Sequence, residues 1–244
     1  MSAVIGIDLG TRTVKVADGG AVQTLAAPAG GPAGALKAVL SAAGGRGVIC
    51  IAVPDGWLSG AAAGAAAQEA LWHECAEELK YTQVLWAGQL AAAAACAAAA
   101  HGAGRYLVCD IGVTGTRAGV FSVAAGAVRI EATHAEADGG WRAFDAEVRA
   151  GLPQSPPLPA TWYEQAADRN QARAVAALEA ALSGTAGERA AAVYRITGPD
   201  GDVVLTAGRL IDGFEPAKEP LETAIMTVRG RIPPDYVVLT GGLG

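Results

Sequence analysis

The stretch Ile5-Gly6-Ile7-Asp8-Leu9-Gly10-Thr11-Arg12-Thr13-Val14-Lys15-Val16-Ala17-Asp18 decides the fold. Apolar residues recur on either side of Gly10-Thr11-Arg12, which reads as two short strands joined by a tight turn. An aspartate closes the first strand, and glycine and hydroxyl residues fill the turn. Such a turn can aim backbone N–H groups and threonine hydroxyls at a phosphate, with Asp8 facing a hydrated Mg²⁺. The same residues also make an ordinary hairpin with a glycine turn. Alone, the hairpin leaves both readings open.

The pattern returns at Tyr106-Leu107-Val108-Cys109-Asp110-Ile111-Gly112-Val113-Thr114-Gly115-Thr116: strand, aspartate, Gly/Thr turn. In the first half, residues 21–26 supply a third strand, and a Pro/Gly bend at 28–34 precedes a short helix at 35–42. Val48-Ile49-Cys50-Ile51-Ala52-Val53-Pro54 is an apolar run of strand length, expected to be buried on both faces. A helix over 61–80, a strand over 83–86 and an Ala-rich helix over 90–100 follow. In the second half, strands at 117–123 and 127–134 lead through Asp138-Gly139-Gly140 to a helix at 141–149. A connector at 151–160 contains four prolines, and an Ala-rich helix covers 162–182. Strands at 191–197 and 202–206 flank a Pro-Asp-Gly turn. Two helices follow, one capped by Thr206 and running through Phe214, the other at 219–228 with Pro220 in its first turn. Tyr236-Val237-Val238-Leu239-Thr240 is a last strand. Strands alternating with helices in a duplicated order predict an α/β protein of two similar lobes, residues 1–103 and 104–244, each a mixed sheet flanked by helices. A ligand between them would be clamped by both turns.

The composition narrows the function classes. The 244 residues carry a net charge of −6 and no clustered Lys/Arg face, so neither nucleic acid nor acidic membrane is an expected partner. The apolar run at 91–100 is too short to span a bilayer. The first strand begins almost at once, without a charged and apolar leader, and a cytoplasmic location is expected. Cys50, Cys75, Cys96 and Cys109 form no CxxC pair, and Cys50, Cys96 and Cys109 sit in apolar contexts that predict buried reduced thiols. His73, His101 and His134 are dispersed, which argues against zinc.

These landmarks together resemble the nucleotide-binding domain of the 70-kDa heat-shock (DnaK-type) chaperones, within the actin and sugar-kinase ATPase superfamily. Ile5-Gly6-Ile7-Asp8-Leu9-Gly10-Thr11 is similar to the family's first phosphate motif, and residues 106–114 to its second. Ile51-Ala52-Val53-Pro54 looks like its "TVPA" strand. Ala132-Thr133, Gly139-Gly140 and Phe144-Asp145 follow its "AT…GG…FD" run. Residues 177–183 correspond in place to the helix that clamps adenosine, and Val237-Val238-Leu239-Thr240-Gly241-Gly242 resembles "IVLVGG". The landmarks keep the family's order over essentially the whole chain. The resemblance implies an actin-like ATPase fold, with the second lobe incomplete at its C-terminus. It also implies ATP or ADP with Mg²⁺ as ligands, and client or co-chaperone proteins as partners beside the nucleotide. Carried over residue by residue, it places Asp8, Gly10, Thr11, Arg12, Thr13, Asp110, Gly112, Val113, Thr114, Ser183, Gly241 and Gly242 at the nucleotide. Asp8 and Asp110 would hold the metal.

The departures limit the chemistry that the resemblance implies. The family's peripheral subdomain, with its catalytic lysine, shrinks here to residues 18–47, whose one lysine, Lys37, is expected on a solvated helix face. The family's "NEPTAAAL" segment carries an acidic residue that positions the metal and the attacking water. Its counterpart, Ala87-Gly88-Gln89-Leu90-Ala91-Ala92-Ala93, has no carboxylate. In the family's "DLGGGTFD" run, Thr114 replaces the third glycine and Arg117 the second acidic residue. The adenosine clamp's Glu and Lys fall on Ala176 and Glu179, which leaves Ser183. The chain is therefore expected to bind ATP or ADP with weak or lost hydrolysis, and its standing as an ATPase is left open. The alternative is a non-enzymatic interaction module that keeps the fold without nucleotide. A small-molecule kinase would need a catalytic aspartate, and its one candidate, Asp138, reads better as a helix cap. Arg12 and Arg117 are either phosphate ligands in place of the missing lysine or solvent-facing side chains.

Overall fold

The computed structural model describes residues 4–10, 13–18, 21–26, 36–37, 40, 47–59, 62–112, 115–137, 139–150, 193–198 and 201–241. The connector expected at 151–160 and the helix expected at 162–182 lie outside them, as does most of the helix expected at 35–42.

The first sheet contains β1 (Val4–Leu9), β2 (Thr13–Asp18), β3 (Ala21–Ala26), β4 (Val48–Val53) and β5 (Gln83–Gly88), in the order β3-β2-β1-β4-β5. β1, β2 and β3 form an antiparallel meander, and β4 and β5 add in parallel beyond β1. Parallel addition requires crossovers; the one between β4 and β5 is α1 (Ala62–His73). Because side chains alternate across a strand, Ile5 and Ile7 of β1 share a face with Ile49, Ile51 and Val53 of β4. They form one core with Val14, Leu36, Leu40, Leu71, Cys75 and Tyr81. Asp8, Cys50 and Ala52 therefore point to the opposite face. β4 was expected to be buried on both faces; only the face packed against Leu71 is fully buried, and the other is half-buried.

The helix expected over 61–80 ends sooner. At Glu74–Glu78 it widens into a π-turn, closed by Leu79 N–H donating to the Glu74 carbonyl at 2.9 Å. The widening keeps Cys75 in the core and returns the chain so that Tyr81 is buried beside it, with Lys80 at a left-handed φ of 60°.

The second sheet repeats the first. β6 (Gly104–Ile111), β7 (Thr116–Ala124) and β8 (Ala127–Glu136) form an antiparallel meander. β9 (Val193–Gly198) and β10 (Gly201–Thr206) pair as a separate hairpin. β11 (Tyr236–Gly241) then adds in parallel to β6, giving β11-β6-β7-β8. This reproduces the β4-β1-β2-β3 arrangement of the first sheet strand for strand.

Helices complete the second layer. α2 (Gln89–His101) follows β5 directly but lies on the second sheet, where Leu90 and Ala94 pack with Tyr106, Val108, Phe121 and Val123. Tyr236 of β11 stacks on Tyr106 with ring centroids 4.8 Å apart and on His101 at 5.6 Å, joining the end of α2 to the sheet. α3 (Trp141–Ala150) packs beside α4 (Ala207–Val228), and α4 covers the other face of the sheet. There Ala224 and Val228 are buried against Leu107, Cys109, Ala118 and Val120.

The sequence reading placed two helices where α4 is continuous through Pro216 and Pro220. An internal proline costs about 3 kcal/mol in an unsupported helix. Here the apolar stripe of Leu221, Ala224, Ile225 and Val228 holds the helix on the sheet. Cys96 also differs from expectation: it is exposed on α2, whereas Cys75 and Cys109 are buried.

Candidate functional site

β1 and β6 occupy matching places in the two sheets, and each carries its aspartate one residue before its end. In each hairpin the residue directly across from that aspartate is basic: Lys15 faces Asp8, and Arg117 faces Asp110. Cross-strand partners share a sheet face, so each aspartate stands in register with a basic residue, and at Asp110 the two form an ion pair. Lys15 is exposed. Arg117 is three-quarters buried, and Asp110 is 7% exposed.

The two strand ends meet at the first residue of α2. Gln89 Nε2 donates to Asp8 Oδ1 at 2.7 Å and makes a longer contact of 3.4 Å to the Leu9 carbonyl. Gln89 Oε1 accepts from Arg117 Nη1 at 2.7 Å. Arg117 Nε in turn donates to Asp110 Oδ2 at 2.9 Å, and Nη2 closes the ion pair on the same oxygen. A continuous chain, Asp8–Gln89–Arg117–Asp110, therefore links the two sheets. A carboxamide suits the central place because it carries a donor for the carboxylate and an acceptor for the guanidinium. No carboxylate or ammonium serves both.

Gln89 is held by its own surroundings. Asp55, just after β4, accepts the Leu90 N–H at 3.0 Å through Oδ2, satisfying one of the free donors at the start of α2. Its carboxylate lies over Gly88, where a Cβ would collide with it. The negative charge also favours this end of the helix dipole.

The second turn is packed by glycines. Gly112 N–H donates to the Gly115 carbonyl at 2.9 Å, closing the loop after Asp110. Gly140, at φ +102°, lies so near that a Cβ would stand 2.5 Å from the Gly112 carbonyl oxygen and 2.9 Å from Gly115 N. Gly241, at φ +98°, approaches Asp110 itself, and a Cβ there would lie 2.7 Å from Oδ1. The close approach at Gly241 is thus made to β6. Thr116 points away from this group, toward Gly139 and Pro220, fully buried and with no hydrogen-bond partner for its hydroxyl among the described residues.

Of the residues named from the sequence, Asp8 and Asp110 are brought together through Gln89 and Arg117. Gly10 follows β1, Gly112 opens the second turn, and Gly241 ends β11 against Asp110. Thr13 begins β2, and its side chain is outside the described residues. Thr11, Arg12, Val113, Thr114, Asp138, Ala176, Glu179, Ser183 and Gly242 also lie outside them. Lys37, itself exposed, pairs at 3.6 Å with the mostly buried Glu74. Arg117 is not the solvent-facing side chain that one reading made it. Its position opposite Asp110 was legible in the hairpin register. Gln89 was missed: it lies in the quoted segment that lacks a carboxylate, and only the crossing of α2 to the second sheet gives it a role.

The donor set does not fit a Mg²⁺ ion seated between Asp8 and Asp110. Asp110 Oδ2 already takes two guanidinium N–H groups, Asp8 Oδ1 takes an amide N–H, and an ion bridging them would lie against the Arg117 cation. Among the described residues no group of three or more His, Cys, Asp or Glu side chains could share a metal.

The fold as a whole finds a counterpart among solved structures. The chain matches the crystal structure of MreB5 of Spiroplasma citri bound to AMPPNP with a TM-score of 0.64, over 99% of this chain and 85% of that one, at 13% identity. It matches the ADP-bound structure of the same protein with a TM-score of 0.58 over the same shares, at 15% identity. The fold is that of the actin-like ATPases. No protein-family model matches the chain, and no curated protein matches it in sequence. Neither of these two structures is of a 70-kDa heat-shock protein.

Proposed function

We propose that this actin-like chain binds an adenine nucleotide, ATP or ADP, between its two sheets, with weak or lost hydrolysis. The observation that carries this reading is the convergence of Asp8 and Asp110, from equivalent strand ends, on one point at the start of α2. In this reading the turns after β1 and β6 receive the phosphates, and residues 1–103 and 104–244 act as the two lobes, with α2 of the first packed on the sheet of the second. Ser183 and Gly242 are assigned to the nucleoside on the resemblance alone. The likeness to the 70-kDa chaperones adds the finer proposal of a chaperone-type module of the cytoplasm that answers to a client or co-chaperone protein.

Hydrolysis requires a positioned water and stabilisation of the transferred phosphoryl group. At the start of α2 the chain offers the neutral amide of Gln89, already engaged at both ends, where the 70-kDa family carries an acidic residue. Binding without turnover follows. Thermal unfolding with millimolar ADP and AMPPNP tests it: a raised melting temperature supports the reading. Steady ATP turnover by purified protein, abolished by Asp8→Ala, would refute the loss of hydrolysis.

A second reading is favoured by the Arg117–Asp110 ion pair, which neutralises one carboxylate from within the chain. It makes the protein an interaction module that keeps the fold without a nucleotide. No thermal shift at millimolar nucleotide would select it.

A further inference from the structure

We propose that Arg117 takes the place of the divalent cation, so that the site receives a nucleoside di- or triphosphate free of metal. The inference rests on the nucleotide-binding reading and goes beyond it. Its basis is a chemical match between what a bridging metal would do here and what the guanidinium does. A metal between the two strand ends would neutralise the carboxylates, tie the two sheets together and present positive charge to phosphate oxygens. Arg117 neutralises Asp110 directly, is tied to Asp8 through Gln89, and bridges the sheets by that route.

The guanidinium keeps capacity for a ligand. Of its five N–H groups, Nε, one on Nη1 and one on Nη2 are engaged by Asp110 and Gln89, which leaves one on each Nη. A planar fork of this kind suits phosphate oxygens, and its charge is permanent. The group is fixed by three hydrogen bonds to two partners and a quarter of its side chain is exposed, so it is ordered before any ligand arrives. The local charge supports the same conclusion. Asp110 is offset by its ion pair with Arg117, while Asp8 is tied to the same guanidinium through Gln89. Two carboxylates already tied to one guanidinium do not call for an imported divalent ion. Such an ion would have to displace Arg117 from Asp110 or sit against it.

The test uses the full chain, with ADP and AMPPNP as probes, and reads the thermal shift and the dissociation constant in parallel with Mg²⁺ and with EDTA. The expected result is the same shift and the same constant in both. Binding seen with Mg²⁺ and lost in EDTA overturns the inference while leaving the nucleotide reading intact. Binding in neither condition removes the nucleotide reading and this inference with it. The paired substitution Arg117→Met with Asp110→Asn removes the ion pair without stranding a buried charge. It should weaken nucleotide binding in EDTA by about tenfold or more, the effect of losing one charge-assisted contact. Arg117→Lys, which keeps the charge but loses the fork, is the second variant should the pair fail to fold. It should also bind more weakly in EDTA. Undiminished binding by a folded variant refutes the role given to Arg117.

Discussion

Replacing Gln89 with alanine removes the one side chain that joins the two strand-end aspartates. Two hydrogen bonds are lost, each at 2.7 Å and each to a charged partner. Bonds of that kind contribute about 1.5–3 kcal/mol each when buried. The group is only partly buried, and water can take up the freed groups, so roughly half of that sum is expected to survive. The helix itself gains a few tenths of a kcal/mol from alanine, about 0.4 at most at this terminal position. The net loss is about 1–2.5 kcal/mol, or roughly 3–8 °C in Tm for a chain of this length. Gln68→Ala provides the comparison, because Gln68 makes a single neutral bond, Nε2 to the Trp57 carbonyl at 2.9 Å, within the first half alone. Differential scanning calorimetry on both variants separates the two. If Gln89→Ala lowers Tm no more than Gln68→Ala does, the bridge between the sheets contributes nothing beyond an ordinary hydrogen bond, and the reasoning fails.

Two further outcomes follow from local geometry. Gly140→Ala combines a left-handed φ with a collision against the Gly112–Gly115 turn, whereas Gly126→Ala has a similar φ of +77° and open space around its Cβ. Urea denaturation should show a loss of about 1 kcal/mol for Gly126→Ala and clearly more for Gly140→Ala. Burial raises the Cys75 and Cys109 thiols from 9.0 to about 11, helped at Cys75 by the neighbouring Glu74 charge. The folded chain therefore keeps protons that the unfolded chain releases, so stability should be intact below pH 9 and fall as pH rises toward 11. A Cys75→Ala, Cys109→Ala double variant should flatten that decline in pH-dependent denaturation.

Much of the fold is written in short-range pattern. The runs Val48–Val53 and Tyr236–Gly241, and both strand–Asp–x–Gly turns, carry their own boundaries in glycine, proline and alternation, and each became a strand where expected. Asp8 and Asp110 stood out for the same reason, since each is the polar residue that interrupts an apolar run just before a Gly turn. What stayed hidden depended on contacts between distant segments. Gln89 lies 81 residues from Asp8 and 28 from Arg117, and nothing near it in sequence marks it. The continuity of α4 was obscured because Pro216 and Pro220 are strong local signals for a break, and the sheet that overrides them is remote. Cys96 was misjudged because an alanine context looks apolar on every side of a helix, although only one side meets the sheet.

The path of α2 has a consequence for how the chain comes into being. The helix is synthesised with the first half, yet the surface that buries Leu90 and Ala94 is made of Tyr106, Val108, Phe121 and Val123, which emerge later. Until β7 leaves the ribosome, α2 has no surface to dock on, and its apolar side is open to chaperones and to neighbouring chains. A cut after residue 102 would freeze that condition, producing one fragment with a naked helix and another with an uncovered sheet. A cut at residue 88 would send the helix away with its sheet. By packing, the later-made part of the molecule begins one helix before its own first strand.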